Sequence, residues 1–362
     1  MGKKKYYFIF IAAFVLLTIF IVMRCNTTNI PAVPGGGKVK LVDTNMNGAT
    51  MLQKTSGSSG QTLIFIGHNT YGSDSGGLKF YDTHDATLKD TSIDVDVADF
   101  SFSSSNKMYI MGPYNTYSIL TGGDPSTWTP TELLDGTNNY FGGSDMVLYG
   151  EKVYMVDPGG WSAPYNNRVY VINTVDDSVT TVTLGAEFQN EGFTSIGVYN
   201  DELYYTDTDD GDIYKSTDLN DIAGSLSPVT TTTESATGKI YFNNSMAYVL
   251  VGAGPSTVNE GVYMFDPSNP GAAATHFQNS GMISAQYMVF KDNDTAYVTH
   301  YSYGVYVFNP SSENSNYVII PDTDPASVTG LQDIILDSSE NMLYIAVNNY
   351  PNASKLMLVD MN

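Results

Sequence analysis

Short runs of apolar residues interrupted by single polar ones recur along the chain from Val39 onward. Each run of five to seven residues predicts a β-strand, because successive side chains of a strand face opposite ways. One triplet recurs more regularly than the rest, an aromatic residue between apolar neighbours. It stands in "LIFIG" (Phe65), "MYIMG" (Tyr109), "VYMVD" (Tyr154), "LYYTD" (Tyr204), "AYVLV" (Tyr248), "AYVTH" (Tyr297) and "LYIAV" (Tyr344). The anchors are 44, 45, 50, 44, 49 and 47 residues apart. A repeat of that length with β composition predicts propeller blades, and seven anchors predict seven.

Every anchor has similar neighbours. A strand such as "DFSF", "DMVLY" or "DIILD" precedes it across a short polar turn. A third strand follows a variable loop, as in "RVYVINT" or "GVYMFDP", and a polar fourth strand such as "SVTTVTL" closes the unit. After Met23 no stretch keeps a helical period. The last blade reaches a third strand at "SKLMLVD" and lacks a fourth, while "KVKLVDT" (Lys38–Thr44) alternates without a blade of its own. That segment is expected to close the ring as the outer strand of blade seven, which removes two free edges.

The stretch "DNDTAYVTHYSYGVYVFNP" resembles the YVTN-type β-propeller repeat, with His300 in place of the final Asn of the motif; "RVYVINT" and "GVYMFDP" are similar to its second half. The resemblance spans Val39 to Asp360. It implies an all-β, seven-bladed propeller of four-stranded antiparallel blades, secreted or attached to a cell surface, and it carries no catalytic signature.

The first 25 residues stand apart. Lys3, Lys4 and Lys5 precede an uncharged apolar run from Tyr6 to Met23, long enough as a helix (roughly 27 Å) to cross a bilayer. The flanking charges favour a cytoplasmic N-terminus and an exported remainder. Two readings of this segment stand: a retained anchor, or a lipoprotein leader with lipid on Cys25, the only cysteine, although Arg24 fits a lipobox poorly. The chain thus divides into an anchor or signal segment (1–25), a Pro/Gly linker (26–37) and a propeller (38–362).

Charge narrows the partners. Four of the 16 Lys and Arg lie before Cys25 and none of the 38 Asp and Glu does, so the remainder carries a formal −26. Nucleic acid is excluded as a ligand, and membrane contact is expected only through the N-terminal segment. With no cysteine beyond Cys25, no internal disulfide supports the fold.

Candidate chemistry lies at one end of the ring. The loops after the anchor strands carry Tyr71, Tyr114, Trp161, Tyr165, Tyr301, Tyr303 and Tyr350, and Tyr140 comes from a second loop set on the same face. Tyr and Trp among Gly, Asn and Ser provide flat contact area with adaptable hydrogen bonding, which suits protein or glycan ligands. Near the starts of first strands stand Asp99, Asp145 and Asp333, and those strands hold no basic residue. Carboxylates that converge on a channel mouth repel one another unless a cation lies between them, and calcium suits such oxygen ligands. A solvated rim is the plain alternative. "DTDDGD" (Asp207–Asp212) lacks calcium-loop spacing and reads as a tight turn, and no nucleophile elbow, Walker loop or zinc helix is present.

These features predict a membrane-tethered, extracytoplasmic module that binds protein or glycan at its channel mouth, and they favour binding over catalysis. The rivals are a lactonase-like or other hydrolytic propeller and a structural cell-surface layer component.

Overall fold

Seven antiparallel four-stranded meanders follow one another along the chain. The computed structural model describes residues 39–361 apart from 58–59, 71–75, 105, 114, 136–144, 161–164, 208, 233–236, 253–259, 278–284, 301–303, 312–313, 319–329 and 349–351. The anchor, Cys25 and the linker lie outside the described residues. Among the described residues there is no α-helix, and no helix is long and apolar enough to cross a membrane.

Blade one is β2 (Ala49–Ser56), β3 (Thr62–His68), β4 (Gly77–Asp82) and β5 (Thr87–Asp90). Blade two is β6 (Asp99–Phe102), β7 (Lys107–Met111), β8 (Asn115–Leu120) and β9 (Pro130–Asp135). Blade three is β10 (Met146–Tyr149), β11 (Lys152–Asp157), β12 (Arg168–Asn173) and β13 (Val179–Thr183). Blade four is β14 (Phe193–Tyr199), β15 (Glu202–Asp207), β16 (Asp212–Ser216) and β17 (Leu226–Thr231). Blade five is β18 (Thr237–Asn243), β19 (Met246–Val251), β20 (Gly261–Phe265) and β21 (Thr275–His276). Blade six is β22 (Ala285–Phe290), β23 (Ala296–His300), β24 (Gly304–Asn309) and β25 (Asn314–Val318). In blade seven, β26 (Leu331–Asp337), β27 (Met342–Val347) and β28 (Lys355–Asp360) are completed by β1 (Val39–Asp43), in the order β1-β28-β27-β26. The orphan segment of the sequence is therefore the closing strand.

The anchors show why the pattern works. Each sits in the second strand of its blade, and all seven are at most 4% exposed. Second strands are covered on both sides by neighbouring blades, so they read as nearly unbroken apolar runs. Outer strands such as β13, "VTTVT", are only partly covered and alternate with polar residues. Seven apolar clusters of described residues fill the seven blade–blade interfaces. Burying each anchor ring is worth about 2–3 kcal/mol, which supports a fold without disulfides. Two hairpins turn on residue pairs with positive φ, Asn200–Asp201 (50° and 63°) and Asn244–Ser245 (48° and 63°). Both residues of such a pair must be left-handed for the turn to match the strand twist, and Asn and Asp tolerate that.

His68, at the end of β3, is fully buried, and neither ring nitrogen makes a hydrogen bond. Burial depresses its pKa to about 4, with Lys79 adding to the shift and main-chain groups of Gly77 and Ile66 opposing it. The folded state therefore holds the ring neutral while the unfolded chain binds a proton below about pH 6.5. Stability from this site is full above that value and is lost as pH falls towards 4, by about 3 kcal/mol. His68→Leu removes this contribution, so the two proteins should diverge on acidification when unfolding is followed in urea. Parallel pH profiles would contradict a buried neutral imidazole.

Candidate functional site at the channel mouth

First strands face the central channel, and several start with an irregular register. In blade five the pairing steps from Thr237↔Val251 to Ile240↔Val249, so Gly238 and Lys239 together oppose Leu250. A bulge of this kind re-aims a side chain. Here Lys239 reaches across the channel from blade five to blades two and three. Its Nζ lies 2.8 Å from Asp145 Oδ1 and 3.3 Å from Asp99 Oδ2, and 5.5 Å from the centroid of the Tyr287 ring.

The three aspartates singled out in the sequence bind main chain as well. Asp99 accepts the N–H of Phe100 (2.7 Å) and that of Met146 in the next blade (3.3 Å). Asp145 accepts the hydroxyl of Ser195 (2.6 Å) and the N–H of Ile196 (3.3 Å), again in the next blade. Asp333 accepts N–H groups of Ile334 (2.9 Å) and of Leu52 in blade one (2.8 Å). Each carboxylate thus ties its own blade to the following one at the channel wall.

The structure brings Asp99 and Asp145 together through one ammonium. Asp333 lies close enough to feel its field while keeping its own backbone donors. The cation between Asp99 and Asp145 is the Lys239 ammonium, supplied by a strand outside those three; a calcium ion there would have to displace it. Burial works against the Lys239 charge, but Asp145 and Asp99 outweigh it and hold the pKa well above the usual lysine range. Burial pushes Asp99 up despite Lys239, helped by Asp145. Asp145 is also buried, yet Lys239 and hydrogen bonds from Asp99, Lys239 and Ser195 hold it below the ordinary carboxylate range. Burial lifts Asp333 to about 6, with Lys239 and the two N–H donors opposing. Burial and the neighbouring Asp145 thus favour the protonated form of Asp99, while the ammonium and its hydrogen bonds favour the ionised form of Asp145.

The sequence reading missed Lys239, although a signal exists. It stands nine residues before its anchor Tyr248, as Asp145 and Ser195 do before Tyr154 and Tyr204.

A second group forms on the same face at blades three and four. Carboxylate oxygens of Glu191, Asp207 and Asp210 lie within 4.8 Å of one another, close enough to share one divalent cation. Asp207 is fully buried; burial raises its pKa, and a hydrogen bond with Glu191 adds to the rise. Asn167 (3% exposed) holds this loop by donating to the carbonyls of Phe188 (2.8 Å) and Glu191 (2.7 Å). "DTDDGD" is the turn the sequence predicted, but two of its carboxylates meet a third from a separate connection.

Of the loop aromatics, Tyr165 is described: its hydroxyl donates to Asp209 (3.1 Å) beside this group. Tyr71, Tyr114, Tyr140, Trp161, Tyr301, Tyr303 and Tyr350 lie outside the described residues.

This architecture defines an all-β, seven-bladed propeller. Solved structures with a similar fold include a catalytically inactive variant of virginiamycin B lyase from Staphylococcus aureus with quinupristin. It is 12% identical, with a TM-score of 0.63, over 90% of this chain and 99% of that one. Another is YCF48 bound to D1 peptide, 14% identical with a TM-score of 0.52, over 91% of this chain and 86% of that one. At such identities the likeness concerns the fold. No protein-family model matches the sequence, and no curated protein is similar to it.

Proposed function

We propose that this propeller is a binding module that holds a basic protein segment on its channel-mouth face, tethered outside the cytoplasm by its N-terminal segment and built from YVTN-type repeats. The observation that carries the reading is the acidic, tyrosine-bearing edge formed by Tyr165, Glu191, Asp209 and Asp210, with Asp207 buried behind them. It stands beside a channel whose charged side chains are engaged in joining blades. That one structural neighbour is described with a bound peptide supports this use of the scaffold. Negative charge on a rigid rim attracts Lys- and Arg-rich chain, and a tyrosine adds flat contact area.

The test is binding of the full-length protein, in detergent micelles, to immobilised Lys/Arg-rich, Glu-rich and uncharged peptides and to a glycan panel. Basic peptides should bind and weaken as salt rises. Asp209→Asn with Asp210→Asn should lower that affinity about fivefold. Binding of glycans alone, or of no peptide class, would overturn the reading.

A further inference from the structure

At the face opposite the channel mouth, blades one and two part to leave a cavity of about 750 Å³. Gly57 and Gln61 beside β2 and β3, Asn106 before β7, and Gly123 to Pro125 between β8 and β9 form its rim, at the end of the ring away from Tyr165 and Glu191. Its floor is aromatic. Phe65 stacks on Phe80 and on Trp128, with centroids 5.4 Å apart in each pair, and meets Phe102 edge-on at 5.1 Å. Phe102 is only half-buried, so the floor is within reach of a ligand.

The walls are polar. Gln61, Asp82, Lys89, Asn106 and Asp124 line them. Lys89 sits 2.8 Å from Asp82 Oδ2 and 5.9 Å from the centroid of Phe80, so the cation is already engaged. An anionic ligand would meet the carboxylates of Asp82 and Asp124, and a cationic one would compete with Lys89 for Asp82. Neutral ligands with hydroxyl groups meet neither penalty.

A further feature points to a ligand. Trp128 is 6% exposed, lines the cavity, and its indole N–H makes no hydrogen bond. An unsatisfied buried donor costs about 1–3 kcal/mol, which an acceptor oxygen would relieve. Planar amides and carboxylates around an aromatic floor complement a sugar, whose ring presents C–H groups on its faces and hydroxyls, donors and acceptors both, on its edge. We propose that the cavity between blades one and two binds a neutral saccharide. This site is independent of the channel-mouth reading, since it uses the other face and other residues.

The chain has two tryptophans, so full-length protein labelled with 5-fluorotryptophan gives two fluorine resonances, assigned by Trp161→Phe. Millimolar maltotriose, cellotriose and N,N′-diacetylchitobiose are the probes. At least one should move the Trp128 resonance saturably. Asn106→Gly removes a wall amide at a residue with φ of 56°, which glycine adopts without strain, so the fold is retained. It should weaken that binding about three- to tenfold. The proposal is overturned if none of the three sugars moves the Trp128 resonance, or if Asn106→Gly leaves the titration unchanged.

Discussion

Lys239→Met should lower the stability of the propeller by about 3–5 kcal/mol near neutral pH, a large share of what holds a domain folded. Methionine matches the lysine stem in length, so little packing is lost. The loss is electrostatic: Asp99 and Asp145 are only 4% and 6% exposed and would face each other without the ammonium. Their hydrogen bonds to Met146 and Ile196 tie three blades together, so the strain spreads to the channel wall.

The sign of the pH dependence follows. Without Lys239 the folded-state pKa values of Asp99, Asp145 and Asp333 all rise, so the folded variant binds more protons than the unfolded chain above about pH 4. Stability of the variant therefore falls as pH rises, and its deficit against wild type is largest near neutrality and smallest near pH 4. Adding Asp145→Asn should restore about half of the loss, since an amide oxygen still accepts from Ser195 and Ile196. Urea unfolding at several pH values checks this. A loss below about 1 kcal/mol, equal at acidic and neutral pH, would show that the cluster is solvated like a surface ion pair.

Deleting Val39–Thr44 should have an effect at least as large. β1 pairs with β28 over five residues, from Val39↔Val359 to Asp43↔Lys355. Val39 and Leu41 pack on the cluster between blades six and seven, and Val42 on that between blades seven and one. Just beyond, Thr44 donates twice to the carbonyl of Ser354, from its N–H (2.9 Å) and its hydroxyl (2.8 Å), and the Ser354 hydroxyl accepts from Ala49 (3.0 Å). Thr44 and Ser354 are fully buried, so this latch joins the two ends of the ring out of water.

Removing these residues opens the β28 edge and the latch together, and the expected result is a lower melting temperature with soluble aggregates on size exclusion. Leu41→Asp should act in the same direction by about 2–3 kcal/mol, because it sets a charge on the sheet face against that cluster. Monomeric protein with unchanged melting after the deletion would mean that β1 is dispensable.

The blades were legible in the sequence because their cause is local. Alternation of apolar and polar residues reports which side of a strand is covered, and the anchors Phe65 to Tyr344 repeat because each second strand meets the same two-sided burial. β1 was legible for the same reason: an alternating segment without a blade, and a blade without its outer strand, have one economical arrangement. Asp99, Asp145 and Asp333 could be placed on the channel from their distance to the anchors. Their partners could not. Lys239 meets Asp99 across 140 residues of chain, and Asp333 holds Leu52 across 281. Only closure of the ring converts those separations into hydrogen-bond distances, and only burial there, with Lys239 alongside, shifts those carboxyls from their ordinary range. The Glu191–Asp207–Asp210 group and the Trp128 cavity have the same origin: they lie where separate connections or neighbouring blades meet, and alternation along one strand carries no information about what lies across a blade interface.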